Sequence, residues 1–172
     1  YETLRSIECL KVPSDYTVEL IIVDNNSNDD TYKIVKNILL QNFRVHYVQE
    51  KKIGLSNARN KALLISSGDI LLFTDDDVRL PTNWIELMCK PIISGSADAV
   101  SGGVQPAPHL YRKWLYEGFP GFAAINSILK EKEIDYLIGA NMGFSRKVLL
   151  AVPQFDINLG AGALGYGEET LF

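Results

Sequence analysis

The sequence predicts an α/β domain built on a mostly parallel sheet flanked by helices. Two continuous apolar runs, Glu19-Leu20-Ile21-Ile22-Val23 and Ile70-Leu71-Leu72-Phe73-Thr74, read as strands buried on both faces. Segments of helical period lie between strand-like runs, at the spacing of βαβ units. Each of the two apolar runs also ends in acid, the first in Asp24 and the second in Asp75-Asp76-Asp77.

Taken in order, Leu4, Ile7 and Leu10 fall on one face of an opening helix. The first strand runs into 24–30, a dense turn and helix-start signal, and a helix is predicted over 31–41 with Ile34, Val35, Ile38 and Leu39 apolar. A short strand covers 45–49. Ser56 is expected to cap a helix reaching about residue 66, with Gly68 just past its end. After the strand 70–74, Pro81 is expected to begin a helix, where its missing N–H costs nothing. A strand weakened by Gly102 and Gly103 is read over 99–104. Beyond Pro106 come an aromatic segment, a strand-like 137–145, a short helix near 146–152 and a glycine-rich loop over 160–167.

At 172 residues the chain fits one domain, 1–172, whose first half ends near residue 105. Hydrophobic residues make up 47% and charged residues 22%, which excludes a disordered or fibrous chain. Seventeen basic residues against twenty-one acidic ones give a net charge of −4. No broad footprint for nucleic acid or anionic lipid exists, so a phosphorylated ligand needs a metal ion or one placed Arg. The longest apolar run, 148–152, is far short of the ~20 residues of a membrane helix, so membrane contact is expected only through parts outside this chain. Cys9 and Cys89 are read as buried thiols of a reducing, cytoplasmic setting, the inner face of the membrane included. Both ends are expected to continue into a longer protein.

In open parallel sheets, ligands bind outside the carboxyl ends of the strands. Asp24 and the triple Asp are expected at that edge. Three adjacent carboxylates are neutralised by a cation or solvated by water; an all-oxygen site suits Mg²⁺ or Mn²⁺, and a solvated turn is the other reading. Arg59, early in its predicted helix, could help that helix start to hold an anion. Glu168-Glu169, after the glycine loop, either complement a helix dipole or include a general base. Trp114, with Tyr116, Phe119 and Phe122 among Gly and Pro, either lines a pocket or packs a core. Gly160-Ala161-Gly162-Ala163-Leu164-Gly165 matches a dinucleotide fingerprint by letter alone, because no buried strand precedes it; a loop over a site fits better. His46 and His109 are isolated.

The ordered set resembles the inverting, nucleotide-sugar-dependent glycosyltransferases of family 2, which have the GT-A fold. It comprises Val23-Asp24-Asn25-Asn26-Ser27 with Asp30-Thr31, Gly54 through Asn60, Phe73-Thr74-Asp75-Asp76-Asp77 with Pro81, Gly139-Ala140-Asn141-Met142, and Gly167-Glu168-Glu169. The resemblance implies a donor-nucleotide half over 1–105 and an acceptor half over 106–172. It implies that Asp24 contacts the nucleotide base and that Asn26, Arg59, Asp75 and Asp76 belong to the donor site. Asp77 would be the metal ligand, with Asp75 beside it near the ribose. Gly139, Ala140, Asn141 and Met142 would line the acceptor side together with Trp114. Glu169 would be the base, and Glu168 would bind acceptor hydroxyls. The implied partners are a nucleotide sugar, most commonly a UDP-sugar, and a saccharide or lipid-linked saccharide acceptor; Mg²⁺ or Mn²⁺ is the implied cofactor. The family's first strand, expected before the Leu4 helix, has no counterpart in the sequence. A sugar-1-phosphate nucleotidyltransferase and a non-catalytic sugar- or nucleotide-binding relative are the alternatives. A phospho-acceptor receiver module is disfavoured because no Lys can be placed after a late strand.

Overall fold

The computed structural model describes residues 1–172 apart from 39, 41, 111–135, 166 and 172, with the backbone alone at 170 and 171. Its first helix, α1 (Glu2–Glu8), lays Ile7 into the core, and Leu10 follows it there. β1 (Glu19–Asp24) pairs in parallel with β2 (Arg44–Gln49), from Glu19 opposite Arg44 to Asp24 opposite Gln49. Between them α2 (Thr31–Asn37) is shorter than the pattern predicts, because Ile38 turns to extended backbone, with φ −85° and ψ 132°. That break lets Ile38 and Leu40 drop into the core instead of continuing round the helix.

α3 (Leu55–Ile65) begins at Gly54 rather than Ser56, and it ends at an extended Ser66 rather than at a left-handed glycine. β3 (Ile70–Thr74) forms as its sequence predicts. α4 (Trp84–Ile93) starts three residues after Pro81, whose carbonyl accepts the Trp84 N–H at 3.0 Å. Pro81 thus belongs to the turn before the helix. β4 is only Ala99–Ser101, and β5 (Asn141–Ser145) lies between β3 and β4, antiparallel to both. β3 and β4 therefore share one direction, as β1 and β2 do, which leaves β5 as the reversed strand. Arg146–Leu150 forms a 3₁₀ turn in place of the expected short helix, as Arg146 fastens its guanidinium to the Gly68 carbonyl at 2.6 Å and to Ser66. A last short helix, α5, covers Glu168–Leu171.

Two cores flank β3, because alternate residues of a strand face opposite ways. Ile70 and Leu72 pack with Ile7, Leu80, Trp84, Ile85 and Met88. Leu71 and Phe73 pack with Leu63, Met142, Phe144 and Phe155. The ladders form two sheets, β1-β2 and β3-β5-β4. Among the described residues no strand pairs with the second edge of β1 or β3, and Leu20 to Val23 are half-buried rather than sealed on both faces. Of the cysteines, Cys89 is core but Cys9 is exposed, against the sequence reading. No helix among the described residues is long and apolar enough to cross a membrane.

Candidate functional site

α1 and α3 set the two acidic strand ends in place. At the first, Asn25 leaves β1 and spans to the 50–54 loop. Its amide donates to the carbonyls of Glu50 and Lys52, and its Oδ1 accepts the Gly54 N–H at 2.8 Å. This fastens the start of α3 to the end of β1. Asp24 itself is 5% exposed, and both its oxygens are engaged. Oδ1 accepts the Ser27 N–H at 2.7 Å, and Oδ2 accepts the Tyr47 hydroxyl. Burial pushes the Asp24 carboxyl up, but the Tyr47 and Ser27 hydrogen bonds outweigh it and hold the group below its usual value. The same bond pushes the Tyr47 phenol up to about 12. Asn26 is exposed, with φ 63°, in the left-handed region that Asn tolerates.

The second strand end is held from outside. Thr3 of α1 donates to the Asp76 carbonyl, Arg79 donates to Thr3 Oγ1 at 3.2 Å, and Ser6 Oγ accepts the Leu80 N–H at 3.2 Å. None of these bonds takes an Asp carboxylate, which leaves the acids open. Asp76 and Asp77 are exposed and Asp75 is half-buried; none of the three carboxylates has an ion-pair partner among the described residues. Burial raises the Asp75 carboxyl above its usual value. Arg59 pulls it back, while Asp77, Asp76 and Glu169 push it further up. Asp75 thus stands in the electrostatic reach of α3 and α5 at once.

Arg59 is 5% exposed, and its guanidinium meets both acids of α5. Nη1 donates to Glu168 Oε1 at 2.7 Å and lies 3.3 Å from Glu169 Oε1, to which Nη2 donates at 3.4 Å. Glu168 is sealed at 4% exposure, whereas Glu169 keeps 19%. Below the guanidinium, the Phe155 ring centre is 5.4 Å from Arg59 Cζ. Phe155 is itself fixed by Asn60, which bonds both its N–H and its carbonyl, at 2.8 and 2.9 Å. The glycine loop closes this corner. Leu159 accepts the Ser56 hydroxyl at 2.7 Å, Ala161 accepts the Leu55 N–H at 3.0 Å, and Gly160 bonds Gly165 at 2.8 Å. Gly160, at φ 96°, occupies backbone space that a side chain disfavours. The loop is thereby docked on α3.

The remaining expected residues separate. Gly139 belongs to the same corner: a Cβ there would fall 2.0 Å from Arg59 Nη2 and 2.2 Å from Glu169 Oε1. Ala140 is half-buried beside it in the chain. Asn141 does not offer its amide to a ligand. Its Oδ1 accepts the Trp84 indole N–H at 2.8 Å, and its Nδ2 donates to Gly103 at 3.0 Å. Met142 is wholly buried in the second core, so its side chain lines no cleft. Arg59 is not a free cation awaiting a donor, and the Glu168 side chain faces Arg59 rather than open space. Trp114 lies outside the described residues. The sequence missed the structural partners Tyr47, Phe155 and Thr3, since nothing local in sequence joins Tyr47 to Asp24 or Thr3 to Asp76.

Among the described residues, no group of three or more His, Cys, Asp or Glu is arranged to hold a metal ion by itself. A cation held jointly by protein and ligand asks for less: Mg²⁺ commonly takes one or two carboxylates plus substrate phosphates. Exposed Asp77 beside half-buried Asp75 fits that smaller demand, and oxygen donors suit Mg²⁺ or Mn²⁺.

The structure is thus an α/β domain with acids at two strand ends and a buried Arg–Glu corner. Its relatives are specific. The model of the family "Glycosyl transferase family 2" matches residues 1–152, and the chain belongs to that family. It is 31% identical to the succinoglycan biosynthesis protein ExoM of Rhizobium meliloti, over 99% of this chain and 55% of that protein. Over 54% of this chain and 31% of the other, it is 32% identical to the Campylobacter jejuni GalNAc(5)-diNAcBac-PP-undecaprenol beta-1,3-glucosyltransferase. The chain spans about half the length of ExoM and less of several other curated relatives. Among solved structures, it resembles the mannosyltransferase PcManGT from Pyrobaculum calidifontis in complex with GDP-Man and Mn²⁺. There the TM-score is 0.71 and the identity 22%, over 98% of this chain and 45% of that one. For S. aureus TarS 1–349 the TM-score is 0.70 at 22% identity, over 99% and 49%. These structural likenesses show the GT-A fold.

Proposed function

We propose that this chain carries the donor site and the catalytic acids of an inverting hexosyltransferase. It would move a sugar from a nucleotide-diphosphate donor to a hydroxyl of a saccharide or lipid-linked saccharide. The observation that carries the reading is that Glu169 Oε1 lies 3.3 Å from Arg59 Nη1, with the half-buried Asp75 at the end of β3 within electrostatic reach of both groups. In this reading Asp75 is the donor-side acid and Glu169 the acceptor-side acid. Family membership and nucleotide-sugar complexes of the neighbours, with GDP-Man and Mn²⁺ in one and UDP-GlcNAc in another, support it.

In this reading Asp24 and Asn26 border the nucleotide base, and Asp75 with Asp76 borders the ribose and phosphates. Asp77, with Asp75, would hold Mg²⁺ or Mn²⁺, which when bound offsets the charge of the leaving nucleoside diphosphate. Glu169 is the general base. It is the more open of the two glutamates, and its carboxylate takes the proton of the acceptor hydroxyl as that oxygen attacks the anomeric carbon. The nucleoside diphosphate departs from the opposite face, so the new bond has inverted configuration. Gly139 and Ala140 flank the acceptor side of Glu169, and Trp114 is the proposed sugar-stacking residue.

Glu169→Gln tests the assignment, because it keeps the shape and removes the basicity. The expected outcome is donor affinity near that of the unaltered protein with kcat lowered by about 10² to 10⁴. Undiminished turnover in Glu169→Gln would place the base elsewhere.

A further inference from the structure

We infer that Arg59 is a positioning residue for the proposed base, Glu169, rather than a donor ligand, and that Gly139 is the clearance that lets it act. The inference rests on the functional reading above but makes a separate claim about how the acids are held.

A donor-binding Arg needs open N–H groups facing the ligand. Arg59 has its guanidinium turned to α5, with Nη1 on Glu168 and Nη2 on Glu169, and only 5% of the residue is exposed. The two contacts differ in kind. The bond to Glu168 is short, 2.7 Å, between two sealed groups, and breaking a buried ion pair from one side is strongly destabilising. It acts as an anchor. The contact with Glu169 is longer, 3.3 to 3.4 Å, and reaches a carboxylate that keeps access to solvent. It orients Glu169 Oε1 without sealing it, which leaves the second oxygen, Oε2, for an acceptor proton.

Everything around the guanidinium restricts it to this pose. Phe155 supports one face, and Asn60, one residue after Arg59, pins Phe155 through two backbone bonds. On another side stands Gly139, where a methyl group would collide with Nη2 at 2.0 Å and with Glu169 Oε1 at 2.2 Å. Such a methyl group would fall on the orienting contact, whereas Glu168 is not among the nearest atoms it would meet. Gly139 is thus required by the Arg59–Glu169 contact rather than by its own backbone angle.

The test is a double-mutant cycle in the full-length protein, read as donor affinity, kcat and thermal midpoint together. Arg59→Lys keeps the charge but loses the forked geometry. The expected result is kcat lowered by roughly 10- to 100-fold, with donor Kd changed less than about twofold. In the double variant Arg59→Lys/Glu169→Gln, kcat should fall no further than in Glu169→Gln alone, since groups acting as one unit are non-additive. Gly139→Ala should reproduce the kcat loss of Arg59→Lys at unchanged donor Kd. A weakened donor Kd in Arg59→Lys, or a double variant in which the two losses multiply, would overturn the inference. Should the unaltered protein transfer no sugar at all, the proposed function fails. The positioning claim is then judged by whether Gly139→Ala and Arg59→Lys lower the thermal midpoint non-additively; independent effects there would overturn it as well.

Discussion

Two strands of this protein end in the same signal, an apolar run followed by acid, and the fold uses the two ends in opposite ways. Asp24 is sealed, with one oxygen on a backbone N–H and the other on a phenol, and its carboxyl lies below the usual value. The triple Asp is gripped only through backbone, by Thr3 of α1, and keeps its carboxylates open; burial lifts Asp75 above the usual value. Hydrogen bonds decide the first case and desolvation the second. An acid whose lone pairs are filled stabilises the fold and its nearby turn. An acid left short of partners is costly until something cationic arrives, which is the condition expected of a site that must bind an anion through a cation.

The contrast can be broken most strongly by removing Asp24. Asp24→Ala deprives the Ser27 N–H and the Tyr47 hydroxyl of a charged acceptor, and should lower unfolding stability by about 2–3 kcal/mol in chemical denaturation. Asp75→Asn is the opposite case. It removes a half-buried charge, so the ligand-free thermal midpoint should stay level or rise by on the order of 2 °C, while donor affinity falls roughly 10- to 100-fold. A large loss of stability in Asp75→Asn would erase the distinction between the two ends. A smaller effect sharpens it: Tyr47→Phe leaves one Asp24 oxygen unpaired and should cost about 1 kcal/mol.

The pH response separates them as well. Asp24, with a lowered carboxyl, contributes stability that is complete above its unfolded value of ~3.9 and is lost as pH falls through the folded value. Asp75, with a raised carboxyl, behaves inversely: its favourable contribution is complete below ~3.9 and is lost as pH rises through the folded value. On acidification from pH 6 to 3, Asp24→Asn should therefore lose less stability than the unaltered protein, and Asp75→Asn should lose more. Denaturant midpoints across that range measure both.

Much of this was legible from local sequence, and the reason is physical. β3 and the helix-strand alternation follow from apolar runs and turns that declare themselves within ten residues. The acids at strand ends are equally local. What the sequence did not show is how distant side chains were assigned to one another. Arg59 looked like a free cation because Glu168 is 109 positions away. Asn141 and Met142 looked like pocket lining because a short motif does not reveal that Trp84 donates to the Asn141 amide oxygen or that Met142 belongs to the buried core with Phe144 and Phe155. The length of α2 was overestimated where the pull of the core on Ile38 and Leu40 competes with helical propensity, and that of β4 because its pairing with β5 ends at Ser101. The reversed direction of β5 depends on pairing across the sheet, which no single strand encodes.

The central claim is that the open acidic end holds a nucleoside diphosphate through a divalent cation while the sealed end does not take part in holding that cation. Calorimetric titration of UDP and of GDP, with Mn²⁺ and then with EDTA, tests it directly on the unaltered protein, Asp77→Asn and Asp24→Asn. The account predicts binding of at least one nucleotide with Mn²⁺ that disappears with EDTA and in Asp77→Asn. In Asp24→Asn, any binding that remains should keep its dependence on the metal. Equal nucleotide affinity in Mn²⁺ and in EDTA, or undiminished Mn²⁺-dependent binding in Asp77→Asn, would contradict it.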